Sequence, residues 1–159
     1  MNSTRIFKIV LFWFAITLLL KSGLYGDNNK VDSLNAVVRA TLVIAPSEHR
    51  DTVLINTLNA LAWELKNTNP DTSIILSQQA LNLSEKLNWK NGIANSFRSL
   101  GVFNSLINDY HQALAYYDKV LEINEQTNDQ KSIAKTLGNI GIVYHEQGDY
   151  PKAFNYYFR

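Results

Sequence analysis

The apolar positions of this chain recur at helical spacing, and the helices themselves recur. Phe97, Leu100, Gly101 and Asn104 fall at i, i+3, i+4 and i+7, and Leu137, Ile140, Gly141 and Tyr144 occupy the same places forty residues later. That spacing turns one stripe of an amphipathic helix toward a core. Residue identities return with the pattern: Ile93-Ala94 as Ile133-Ala134, Asp109-Tyr110 as Asp149-Tyr150, Ala113 as Ala153, and Tyr116-Tyr117 as Tyr156-Tyr157. A period of roughly 20–50 residues marks a solenoid, in which each unit buries its apolar face only against its neighbours. Function in such a chain resides on a surface.

A second helix is expected in each unit. Asp109 and Asp149 stand where a side-chain oxygen caps free amides, and Gln112 three residues after Asp109 completes the spelling of a capping box. Gly148 supplies the turn between the two helices, and Asn108 takes its place one unit earlier, Asn being the residue that best substitutes for Gly in a left-handed turn. An earlier, worn unit contains Leu58, Leu61, Ala62 and Leu65 on its first helix and Ser73 and Ala80 on its second, with Asn69 as cap and Pro70 at the first helical position. Its turn is one residue shorter than those of its sisters. Leu34, Val37, Val38 and Leu42 predict one further amphipathic helix from about Asp32, ended by Pro46, covering the open front of the stack.

The third unit, Leu137, Ile140, Gly141, Tyr144, Gly148, Asp149, Tyr150, Ala153 and Tyr157, resembles the tetratricopeptide repeat, and the second matches it at Phe97, Leu100, Gly101, Tyr110, Ala113 and Tyr117, with Asn104 in place of the tyrosine. The resemblance implies an all-α fold, a right-handed superhelix of antiparallel helix pairs. The boundaries expected are a leader at 1–26, a linker and cap helix at 27–50, a degenerate repeat at 51–90, a second at 91–130 and a third, cut short, at 131–159. Forty residues exceed that family's usual length, and the polar stretches Asn82 to Lys90 and Glu122 to Gln130 suggest a longer second helix and a longer link. Because Phe154, Tyr157 and Phe158 follow with no polar helix behind them, the chain reads as the front part of a longer protein.

Arg5 and Lys8 precede an apolar run from Ile9 to Leu20, and Gly26 offers a small residue for cleavage. That arrangement predicts a secretory signal peptide, or an uncleaved N-terminal anchor, and in both cases an exported chain on the periplasmic side of the membrane or beyond it. Past Gly26 the balance is 12 Lys and Arg against 14 Asp and Glu, since Arg5, Lys8 and Lys21 lie in the leader, so this segment has no basic footprint for nucleic acid. With no cysteine, an oxidising compartment supplies no covalent staples and helix packing must hold the fold.

No catalytic constellation is legible. His49, His111 and His145 are isolated, and no cysteine helps to bind a metal. No strand leads into a glycine-rich phosphate loop. We therefore expect no catalytic, cofactor or metal residues in this segment, and no cofactor. One tyrosine of each Tyr-Tyr pair falls on a core position of the repeat family, and Asn82-Leu83-Ser84 spells a glycosylation site on a helix.

What the resemblance implies instead is a concave groove lined by the first helix of each repeat: Asn59 and Trp63, then Arg98, Val102 and Ser105, then Asn139, Ile142 and His145. Trp63, Val102 and Ile142 are equivalent positions and would form an apolar line along it, the composition of a binding anchor. The family's carboxylate clamp is not reproduced, because Val102 and Ile142 stand where its asparagines would be. The expected ligand is a protein or peptide, with homo-oligomerisation left open. A leader followed by degenerate repeats resembles the front of bacterial sensor histidine kinases and of membrane-anchored helix-turn-helix regulators. In that arrangement a downstream transmembrane helix and any kinase output lie past Arg159. The alternative is a secreted or periplasmic adaptor made only of repeats.

Overall fold

A computed structural model describes residues 28–159, which form seven α-helices and no strand: α1 (Asn28–Val43), α2 (Glu48–Leu65), α3 (Pro70–Lys86), α4 (Lys90–Leu106), α5 (Tyr110–Gln126), α6 (Gln130–Glu146) and α7 (Tyr150–Tyr157). The expected leader at 1–26 lies outside the described residues. Among the described residues no helix is long and apolar enough to cross a membrane.

A single helix-and-link module is iterated every twenty residues. Asn88, Asn108, Asn128 and Gly148 all carry positive φ (50°, 63°, 53° and 79°), twenty positions apart. Each donates its backbone N–H to the carbonyl three residues back, and the next residue donates to the carbonyl five residues back, as Asn108 does to Ser105 at 2.9 Å and Asp109 to Asn104 at 2.9 Å. This pairing satisfies the carbonyls left open at a helix end and requires the left-handed residue between them. Sequence reading found that residue at two of the four links and passed over Asn88 and Asn128.

Three other expectations are corrected by the same links. The reciprocal bond of a capping box is not made at Asp109, because that amide is already committed to Asn104, although the Asp109 carboxylate does accept from the Gln112 N–H at 3.1 Å. The link from α5 to α6 is no longer than the turn from α4 to α5, three residues in each case, so the extra length of the forty-residue unit lies in the helices. The first hairpin is one residue shorter between its packing positions, Ala62 to Ser73 against Gly101 to Ala113, but the shortening falls on α2, which ends at Leu65; its link, 66–69, has four residues.

α1 starts earlier than Asp32 and stops at Val43, before Pro46. It buries Val38 and Thr41, lays Val31, Leu34 and Leu42 against the first core cluster, and is tied to α2 by Lys30–Glu64 at 2.6 Å. Val37, expected on the buried stripe, faces outward at 40% exposure.

Consecutive helices pack in pairs, and α2, α4 and α6 also touch one another in series. The core divides into three clusters along this stack, centred on Leu58 and Phe103, on Leu100 and Val120, and on Tyr117 and Ile140. Gly101 is required by Tyr117: a methyl group there would sit 2.6 Å from the tyrosine ring, and one at Gly141 would sit 2.5 Å from Tyr157. The first hairpin places Ala62 and Ser77 at these positions, both fully buried. The residue facing this hairpin from across the seam differs as well. Phe103 of α4, fully buried in the cluster of Ala62, Leu76 and Ala80, stands where α6 has Val143. Close packing makes such exchanges reciprocal.

Candidate functional site

The helices α2, α4 and α6 contact one another in series, and they carry the eight residues expected to line a groove. At the seam between α2 and α4 these residues are engaged in packing. The Asn59 amide donates to Ser96 Oγ at 3.2 Å, and the Trp63 indole N–H donates to Ser99 Oγ at 3.1 Å. The Trp63 ring meets Phe103 edge-on with centroids 5.5 Å apart, and Lys66 Nζ lies 5.4 Å from the same ring. Trp63 is half-buried, and its indole hydrogen bond and its aromatic contact are both with the following repeat. Asn59 Oδ1 is buried with no hydrogen-bond partner.

Arg98 sits one turn along on α4, half-buried, donating through Nη2 to Asn95 Oδ1 at 2.9 Å. Among the described residues it joins no ion pair. Beneath it the Tyr117 hydroxyl is pushed well above the usual tyrosine range, first by burial and then by Glu146, with Arg98 opposing. The phenol therefore stays neutral and able to donate at ordinary pH. Val102 is half-buried and packs against the first and third core clusters.

The seam between α4 and α6 is more open. Ser105 is buried and donates to Glu146 Oε2 at 2.9 Å. Asn139 is half-buried, Ile142 is 47% exposed, and His145 is exposed and meets Tyr150 edge-on with ring centroids 5.4 Å apart. The eight expected residues thus lie on three successive repeat helices and differ in their surroundings. Trp63, Val102 and Ile142 occupy equivalent positions; of the three, Ile142 is exposed and the other two are half-buried.

Sequence reading missed the partners that organise this face, namely Asn95, Ser96, Ser99, Phe103 and Glu146. A signal for one of them was present. Thr57, Ser96 and Thr136 stand five residues before Ala62, Gly101 and Gly141, and all three are buried, so a small hydroxyl at that place is part of the repeat. Among the described residues no group of three or more His, Cys, Asp or Glu side chains is placed to hold a metal ion.

Residues 92–157 match the family model described as a tetratricopeptide repeat. The chain is 33% identical over 69 residues to Tetratricopeptide repeat protein 29 of Trypanosoma brucei brucei, an alignment that covers 43% of this chain and 14% of the relative. It therefore spans about a seventh of the length of that curated protein. Among solved structures, the tetratricopeptide domain of Arabidopsis FLU aligns with a TM-score of 0.62 at 23% identity, covering 67% of this chain and 91% of that one. The apo form of RapI aligns with a TM-score of 0.70 at 22% identity, covering 80% and 36%. BtubC from P. vanneervenii aligns with a TM-score of 0.68 at 16% identity, covering 81% and 53%. These likenesses establish the fold, an all-helical solenoid of the tetratricopeptide kind.

Proposed function

We propose that this chain is a protein-binding module that takes a peptide segment of its partner along the face of α2, α4 and α6, and that it serves as the extracytoplasmic input or scaffold segment of a bacterial membrane signalling protein. The observation that carries the binding reading is Arg98. A guanidinium held half-buried by Asn95, with no carboxylate paired to it among the described residues, keeps most of its donors for something else. Asn139, Ile142 and His145 extend the same surface with an amide, an aliphatic contact and a titratable ring. The repeats matched over 92–157 support an interaction module; the export reading rests on the basic and apolar start of the sequence.

The test uses the chain as immobilised bait in an envelope extract. Arg98→Ala should lose the captured partner while its helical circular dichroism and melting temperature stay at the parental values. Retention of the same partner by that variant contradicts the binding face. Export is tested separately by fusing alkaline phosphatase after Arg159, where an inactive phosphatase contradicts the extracytoplasmic placement. Reading the coding sequence past Arg159 separates the signalling protein, which needs a further apolar segment of about twenty residues, from a repeat-only adaptor, which lacks one.

A further inference from the structure

The two seams between the first helices of the repeats are built on equivalent positions and differ in what they leave unpaired. Across the first, Asn59 of α2 donates to Ser96 of α4 at 3.2 Å, and Trp63 of α2 donates to Ser99 of α4 at 3.1 Å. The equivalent positions across the second carry Arg98 with Thr136 and Val102 with Asn139, and neither bond recurs. Arg98 turns to Asn95 of its own helix, Thr136 donates to the Ser132 carbonyl at 2.8 Å, and Val102 has nothing to donate. Among the described residues the half-buried Asn139 side chain makes no hydrogen bond.

A third group joins these two from below. Tyr117 of α5 is 2% exposed, and its ring lies over Gly101 of α4 and packs with Ile140 and Val143 of α6. The hydroxyl is near enough to Arg98 and Glu146 to sense both charges, and burial keeps it protonated. Among the described residues it makes no hydrogen bond. Lys135, exposed one turn before Asn139, joins no ion pair among the described residues and adds a second cation at the rim. The seam therefore gathers a guanidinium with uncommitted N–H groups, a neutral phenol and a carboxamide, all able to donate.

We propose that the seam between α4 and α6 recognises the carboxylate of an aspartate or glutamate within the peptide that this module binds, held by the Arg98 fork with the Tyr117 hydroxyl and the Asn139 amide as further donors. The proposal rests on the binding reading above and names the ligand chemistry of that face. A carboxylate presents about four acceptor positions, which suits donors arriving from three side chains. Glu146, held by Ser105 in the same seam, sets a negative charge against a doubly charged phosphate there. Asn95 lies on one side of Arg98 and Val102 and Ser105 on the other, so a peptide chain crosses the site and the carboxylate belongs to a side chain.

A phage-displayed random peptide library selected on the immobilised chain supplies the ligands, and synthetic copies of the enriched peptides are measured by fluorescence anisotropy. Those peptides should share one aspartate or glutamate. Changing it to asparagine or glutamine should weaken binding about ten- to a hundredfold, whereas C-terminal amidation should leave affinity unchanged. Tyr117→Phe and Asn139→Ala should each weaken binding about two- to tenfold, and Tyr117→Phe should melt like the parent, because its hydroxyl has no partner in the fold to lose. Arg98→Glu should reverse the preference and enrich lysine or arginine at the same place. Peptides that share no acidic residue, yet are released by Arg98→Ala, leave the binding face standing and overturn this proposal. So does an acidic peptide whose affinity survives Tyr117→Phe and Asn139→Ala together, or one that binds only with a free C-terminus. A library that enriches no peptide contradicts the binding face itself, and this proposal with it.

Discussion

α4 and α6 are the same helix forty residues apart, yet they are held in place by different means. α4 begins at Trp89 with no side-chain cap, and the indole instead lies over Gly92, where an added methyl would sit 2.4 Å from the ring. Ten of its seventeen residues are buried, against five of the seventeen in α6. α6 begins with Asp129, whose carboxylate accepts from the Ser132 N–H at 3.0 Å and from the Ser132 hydroxyl at 2.7 Å. The more deeply buried α4 thus starts without a side-chain cap, and the less buried α6 starts with one. The comparison also explains the unequal fate of the expected ligand residues. On α4 Val102 and Ser105 are drawn into packing, while on α6 their equivalents Ile142 and His145 face solvent.

The largest effect that would break this comparison is at Phe103. Phe103→Ala should cost about 3–5 kcal/mol, since the ring is fully buried, whereas Val143→Ala should cost clearly less; urea melts compare the two. Equal losses would mean that α4 is not the more packing-dependent helix. Next comes Gly101→Ala, which drives a methyl into Tyr117 and should cost about 1–3 kcal/mol, while the reverse change Ala62→Gly meets no such ring and should cost about 1 kcal/mol from helix propensity alone.

The smallest expected effect is a pH dependence at the α6 cap. The Asp129 carboxyl is held below the usual carboxylate range, chiefly by the Ser132 hydroxyl and then by the Ser132 backbone N–H. A folded-state value below the unfolded one means that the stabilisation is present above about pH 4 and fades as the pH falls through the folded value. Asp129→Asn keeps an acceptor and should flatten the acid limb of a melting-temperature profile. Asp109→Ala at the start of α5 should cost about 1 kcal/mol at neutral pH, because the N–H of Gln112 loses its acceptor.

The hairpins at Gly101 and Gly141 were legible in the sequence because identical residues recur there and because glycine and aspartate announce turns and caps. The links at Asn88 and Asn128 were not, since an asparagine inside a polar stretch has many uses and only the backbone shows its positive φ. That all eight expected residues lie on α2, α4 and α6 was legible too. Their division of labour was not, because it is decided across seams between residues some forty positions apart. Trp63 finds Ser99, Asn59 finds Ser96, and Ser105 finds Glu146. Nothing in the spacing of one helix reports what the next helix brings opposite it. The exchange of Ser77 and Phe103 for Tyr117 and Val143 is of this kind, since each residue alone reads as a degenerate repeat and only the pair reads as a fit.

That exchange can be tested with one set of thermal melts. Converting the first hairpin to the second kind, by Ala62→Gly with Ser77→Tyr, should lower the melting temperature, and so should Phe103→Val alone. Made together they should recover most of what each loses, because tyrosine then fills the space that phenylalanine vacates. Losses that simply add would contradict the claim that the repeats are fitted to one another by volume across their seams.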